Sequence, residues 1–179
     1  MARAHPLASP PTSSGPHIPG ERDESVFLAE WYDGLVALDD ECFGREFWQH
    51  ILGLREVVAK RIEELRNEKV LGASLEAEVE LYCPEPLYSD WRQLGEELRF
   101  LLITSAARVH PLQAKPAGAT TATLTGGHEI GLVVSATEHA KCARCWHHSP
   151  DVGLNADHPE LCGRCVNNVA GEGEERFYA

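Results

Sequence analysis

The sequence predicts an α+β chain in which a long amphipathic helix leads into a small α+β module and then into a four-cysteine zinc finger. Three observations predict it. Between Arg45 and Asn67 apolar residues recur at threes and fours, the period of one helix face. From Leu75 to Leu81, and again from Ile130 to Ala136, they alternate with other residues, the period of a half-exposed strand. Near the C-terminal end two Cys-x-x-Cys pairs, Cys142/Cys145 and Cys162/Cys165, stand sixteen residues apart.

In chain order, residues 1–20 are rich in Pro, Ser and Gly without apolar periodicity, so their composition predicts a disordered lead-in. They also lack the central apolar run of a signal peptide. Residues 21–72 form the helical part. Val26, Phe27, Trp31, Leu35 and Leu38 are spaced as a loop packing onto a helix. The helix itself is carried by Phe47, Ile51, Leu54, Val58, Ile62 and Leu65, with Trp48 and Leu52 broadening the stripe. Its other side mixes Glu46, Arg55, Glu56, Lys60, Arg61, Glu63, Glu64 and Arg66, the composition of a solvated face. Gly72 is expected to supply the flexible backbone of the helix exit.

Residues 73–138 are expected to form the small α+β module. Leu75, Ala77, Val79 and Leu81 alternate with Glu76, Glu78 and Glu80 in a strand that Pro84 and Pro86 end. Leu87, Trp91, Leu94 and Leu98 share one helical face, and the apolar run Phe100–Ile103 reads as a central strand buried on both sides. Pro, Ala, Thr and Gly dominate 111–127, which reads as a mobile loop. Ile130, Leu132, Val134 and Ala136 make the last strand.

The finger occupies 139–179. Within each Cys-x-x-Cys pair a tight turn puts both sulfurs on one side of the backbone, and the intervening loop is long enough to close a tetrahedron around one Zn²⁺. Four thiolates at Cys142, Cys145, Cys162 and Cys165 leave no open position, so the ion is structural. The competing fates are two disulfides or four free thiols. His147, His148 and His158 are then surplus as ligands, and Trp146 is expected to cover the metal. Elsewhere, Cys42 and Cys83 stand alone and read as small buried apolar residues. The net charge of −12 is unlike that of a protein that wraps phosphates, so any nucleic-acid contact has to be local. No apolar run reaches the roughly 18 residues of a membrane span. Phosphate-binding glycine loops and nucleophile elbows are absent from the sequence.

From Lys141 onward, KCARCWHHSPDVGLNADHPELCGRCVNNVAGEGEERFYA resembles the C-terminal zinc finger of bacterial isoleucyl-tRNA synthetases, which belong to class Ia. Asp151-Val152-Gly153 and His158-Pro159-Glu160-Leu161 agree as well as the cysteines do. His17 to Phe27 resembles a segment of the same family, as do Leu54 to Lys60 and Glu68 to Ala77. The resemblance implies that residues 21–72 end a helical anticodon-binding bundle. It also implies that the complete form joins isoleucine to tRNA through an adenylate made from ATP. The HIGH and KMSKS strings of that chemistry do not occur here, so the chain is expected to hold no ATP site and no catalytic residue and to be silent alone.

By the same resemblance the partner is an isoleucine-accepting tRNA, met by Lys141, Arg144, Trp146, His147 and Arg164, in a cytoplasmic protein expected to be monomeric. Family members carry a helix segment reading roughly FTADELW shortly before the stretch matched at His17. Codons for it, read one base later, spell the Ser9 to Gly15 of this chain, so the first sixteen or so residues are expected to be out-of-frame translation, with the frame restored near Pro16. A related finger occurs in formamidopyrimidine-type DNA glycosylases. The alternative is therefore a stand-alone zinc-finger nucleic-acid module of that type, although the N-terminal proline nucleophile of those enzymes is missing behind Met1.

Overall fold

The computed structural model describes residues 43–124 and 126–178, which belong to one unit of the chain. The expected lead-in, the apolar cluster of Glu24 to Leu38 and Cys42 lie outside the described residues. Helix α1 spans Arg45–Asn67 and buries Phe47, Ile51, Leu54, Val58, Ile62 and Leu65, the stripe that the period of 3.6 selects. Trp48 and Leu52 fall outside the buried face and are exposed. The charged side carries the ion pairs Arg61–Glu64 and Arg66–Glu63, each one turn apart at 2.9 and 2.8 Å.

The helix leaves its axis at Lys69, earlier than the sequence reading placed the exit. Lys69 takes the left-handed conformation (φ 62°), and the N–H groups of Val70 and Leu71 both return to the Leu65 carbonyl. Gly72 instead donates its N–H to the Glu76 carboxylate at 2.8 Å. That carboxylate lies 3.1 Å from where a Cβ at Gly72 would sit.

Strand β1, Ala77–Cys83, turns Ala77, Val79, Leu81 and Cys83 inward and its glutamates outward. It lies inside a four-stranded sheet of order β2-β1-β4-β3. Helix α2 (Leu87–Trp91), a 3₁₀ segment (Arg92–Glu97) and helix α3 (Leu98–Leu102) then form the crossover to β2, Ala106–Pro111, which runs parallel to β1. Gly95, at φ 52°, absorbs the bend between the two helical pieces. Leu87, Trp91, Leu94, Leu98 and Leu102 of this crossover share one core with α1 and with the inner face of the sheet.

Phe100–Ile103 is therefore not a strand. It is the last turn of α3 and its cap, closed by Ile103 N–H to Phe100 C=O and Thr104 N–H to Arg99 C=O, with Ile103 left-handed and 44% exposed. A run of four apolar residues cannot distinguish a strand from a buried helical turn. The strand that does pair with β1 is β2, whose Arg108 and His110 disguise it. They point to the outer face, where Arg108 bonds Glu80 at 2.7 Å and Glu78 at 3.2 Å, and His110 meets Glu80.

The expected 111–127 loop holds more structure than its composition implies. It contains a 3₁₀ turn (Leu112–Ala114) and strand β3 (Thr120–Thr123), whose β-branched threonines suit an edge. β3 pairs antiparallel with β4, Glu129–Ala136, which in turn pairs antiparallel with β1 in the register Val79↔Val134 and Leu81↔Leu132. Among the described residues no helix is long and apolar enough to cross a membrane.

Candidate metal centre

The finger begins where β4 ends. Lys141 pairs with His148 in an isolated antiparallel bridge, and between them Cys142 N–H bonds the His147 carbonyl while Trp146 N–H bonds the Cys142 carbonyl. This tight loop is the first knuckle. Trp146 closes it in the left-handed conformation (φ 67°) and is 60% exposed, where a residue packed over the metal was expected to be buried. Lys141 Nζ lies 4.9 Å from the centre of its ring.

The second knuckle is built on α4, Gly163–Ala170. Cys162 precedes the helix in extended conformation and Cys165 lies in its first turn, so a change of backbone conformation brings both sulfurs to one point. The loop between knuckles supplies the clamp. Asp151 accepts the Gly163 N–H at 2.8 Å and the Ser149 hydroxyl at 2.5 Å, satisfying one of the orphan donors at the start of α4. Ala143 N–H bonds the Glu160 carbonyl, and Cys162 N–H bonds the Cys142 sulfur at 3.3 Å.

All four sulfurs lie within 4.8 Å of one another, with Cys142, Cys162 and Cys165 buried and Cys145 partly exposed. Cys145 and Cys162 are 3.7 Å apart. Zn–S bonds of about 2.3 Å directed to the corners of a tetrahedron require sulfur separations of about 3.8 Å. A disulfide requires about 2.0 Å, and all four are free thiols. The group thus fits a zinc ion and does not form disulfides.

The chemistry of the donors agrees with the geometry. Burial pushes the Cys142 thiol up, but N–H groups of Cys145, Cys162 and Arg144 outweigh it and bring it down to about 6. Burial and the neighbouring sulfurs push Cys162 up to about 12, and Cys165 is also raised, chiefly by burial. Sulfurs so crowded do not all ionise unaided, and a divalent cation at the centre is what makes four thiolates compatible. Cys83, by contrast, is an isolated buried thiol raised to about 12.

Of the other residues singled out in the sequence, Lys141, Arg144 and Trp146 are exposed. Arg144 donates to the Cys165 sulfur at 3.6 Å. Arg164 turns to Glu174 at 3.0 Å and lies 5.1 Å from the Phe100 ring centre. The His147 ring packs edge-on against Phe100 at 5.6 Å, with Nδ1 near the Cys145 carbonyl, and its pKa is lowered first of all by burial. His148 Nδ1 meets the His139 carbonyl at 2.7 Å.

Sequence reasoning did not find the residues that dock the finger. Ser105, at the head of β2, accepts the His148 N–H on its hydroxyl at 2.7 Å. Glu97 accepts the N–H groups of Phe177 and Tyr178 at 2.8 and 2.6 Å. Asp151 had a signal in the matched Asp-Val-Gly motif, whereas Ser105 and Glu97 had none.

Residues 141–168 match the family described as the zinc finger found in FPG and IleRS. Isoleucine–tRNA ligase of Halorhodospira halophila is 56% identical over 163 residues, 91% of this chain and 17% of the relative. The corresponding ligase of Alkalilimnicola ehrlichii is 55% identical over 164 residues, and that of Stutzerimonas stutzeri 50% over 164 residues, with the same shares of chain and relative. The chain spans about a sixth of the length of these relatives. It is thus similar, over nine tenths of its own length, to a portion of isoleucine–tRNA ligase, and it carries the zinc finger found in FPG and IleRS.

Proposed function

We propose that this chain is the C-terminal zinc-binding and tRNA-binding portion of an isoleucine–tRNA ligase, whose complete form attaches isoleucine to tRNA using ATP. The observation that carries the reading is identity of 50–56% along nine tenths of the chain to ligases of which the match covers 17%. In it, α1 ends the helical anticodon-binding bundle, the zinc ion is a scaffold, and the finger meets the RNA of a cytoplasmic, monomeric protein. Lys141, Arg144 and Trp146 are the exposed members of the proposed RNA-contact set, and His147 and Arg164 are its partly buried members. An exposed indole beside a lysine is suited to stack on an unpaired base while the ammonium meets phosphate.

Titration of the full, zinc-loaded chain with isoleucine-accepting tRNA tests this. Weak, salt-sensitive binding is expected. Trp146→Ala should weaken it by roughly tenfold, the loss of about one stacked base. Lys141→Glu should weaken it and flatten its salt dependence. Binding absent at low salt, or indifferent to both substitutions, contradicts an RNA role for the finger. A self-contained module of the glycosylase type is the second reading, because the finger family extends to FPG. Tighter binding of duplex DNA than of tRNA would favour it.

A further inference from the structure

Three separate parts of the finger converge on one ring of the module. Phe100, on α3, meets the His147 ring edge-on at 5.6 Å, the Arg164 guanidinium at 5.1 Å and the Arg176 guanidinium at 4.1 Å. His147 follows Cys145 of the first knuckle by two residues, Arg164 directly precedes Cys165 of the second, and Arg176 lies in the tail beyond α4. Glu174 ties two of them together, bonding Arg164 at 3.0 Å and Arg176 at 2.9 Å. One helical turn before Phe100, Glu97 grips the tail itself. Its Oε1 accepts the Phe177 N–H at 2.8 Å and its Oε2 the Tyr178 N–H at 2.6 Å, and the Tyr178 ring then lies 5.0 Å from that of Phe43, just ahead of α1. Phe177 and Tyr178 are 57% and 41% exposed, so burial alone does not hold this segment on the module.

We propose that Phe100 and Glu97 form a dock that couples occupancy of the four-cysteine site to the seating of the tail, residues 174–178, so that loss of the metal releases the tail and release of the tail weakens the metal. Ligation of Cys145 and Cys165 fixes the backbone beside each of them, and that backbone aims His147 and Arg164 at the ring. Without the metal the two knuckles lose their common frame, and with it the placement of Arg164. Glu174 then loses the fixed partner that sets it beside Arg176, and the tail is left with fewer anchors. The coupling runs equally in the other direction. Two sites that share one free energy change each other's affinity by the same factor, so a module residue that seats the tail also contributes to metal retention.

The inference rests on the four cysteines holding zinc, and its test uses no RNA, so it is decided apart from the tRNA contact. Amide hydrogen exchange at Phe177 and Tyr178 is followed by NMR in the full chain, zinc-loaded and after chelation. Both amides are expected to be protected in the loaded protein and to exchange as open chain in the stripped one, while those of β1 and β4 stay protected. Glu97→Ala should free both amides with zinc still bound. In competition with a chromophoric chelator it should also lower zinc affinity by about tenfold, within the usual range of coupling between two sites. Phe100→Leu should lower it similarly, and Glu97→Gln, which keeps one accepting oxygen, should fall between Glu97→Ala and wild type. Tail amides that remain protected after chelation overturn the coupling, as does unchanged zinc affinity in a Glu97→Ala protein whose tail is free. If Glu97→Ala loses the sheet protection as well, the comparison of Glu97→Gln with wild type decides the matter. Wild-type protein with less than one zinc per chain would refute the metal site and the dock with it, a result distinct from failure of the coupling.

Discussion

Gly163 occupies a position that no side chain can share with its neighbour. A Cβ built there would lie 2.7 Å from the Asp151 carboxylate oxygen that accepts the Gly163 N–H. Asp151 has little freedom to retreat, because Ser149 holds its other oxygen. Gly163→Ala should therefore break the cap on α4 and misplace Cys162 and Cys165 on either side of it. A cap of this kind contributes about 1 kcal/mol, so zinc affinity is expected to fall about fivefold in a competition titration. Unchanged affinity would mean that the cap and the second knuckle are independent. Trp146 shows a different constraint at the same scale. Its positive φ is uncommon outside glycine, and the loop holds it with Trp146 N–H on the Cys142 carbonyl. The sequence told us that a tryptophan follows the second thiolate, and nothing in that spacing revealed that the loop conformation leaves it exposed.

Among the elements, β1 carries the sheet through both of its faces. Its inner residues are closed into the core, while on its outer face Glu78 is bound by Thr137 at 2.7 Å and by Arg108 at 3.2 Å. Burial raises the Glu78 carboxyl, but the bonds from Thr137 and Arg108 overrule it and hold it below its ordinary value of 4.5. A folded-state pKa below the unfolded one contributes stability that is fully present above pH 4.5 and lost as the pH falls through the lower folded value. Glu78→Gln should therefore be less stable than wild type at neutral pH, and the gap should shrink as the pH drops below 4.5. Urea midpoints of the two proteins, compared at the same pH, give that gap free of acid effects common to both. A gap that is absent at neutral pH, or constant with pH, contradicts the assignment. This element also shows what the sequence made legible. The limits of α1 and the inner face of β1 follow from apolar periods of 3.6 and 2, because one face of each is buried and the other is wet. β2 was missed because its outward residues are Arg108 and His110, whose partners on β1 lie about thirty positions earlier in sequence. β3 was missed because a short edge strand of threonine and alanine buries too little to leave a period. Phe100–Ile103 was misread because its four apolar residues close a helix, and only the left-handed Ile103 distinguishes that ending.

For the whole molecule, the described residues hold two cores of different origin. One is hydrophobic, formed by α1, the crossover helices and the inner face of the sheet, with Trp91 and Leu54 fully buried at its centre. The other consists of the cysteines, with Cys145, Val152 and Leu161 packed around the three that are buried. So few apolar residues do not order forty, and metal ligation has to supply most of the folding free energy there, on the order of 10 kcal/mol at neutral pH. Ser105, Phe100 and Glu97 then join the finger to the module through hydrogen bonds and ring contacts, and the Tyr178 ring lies 5.0 Å from that of Phe43, which packs on the hydrophobic core. The account therefore depends on the ion more than on any single side chain. Zinc-edge X-ray absorption of the full purified chain, together with its metal content, tests it most directly. The account predicts one zinc per chain with four sulfur neighbours at about 2.3 Å. Substoichiometric zinc with all four thiols freely alkylated, or nitrogen or oxygen in place of any sulfur, would contradict it.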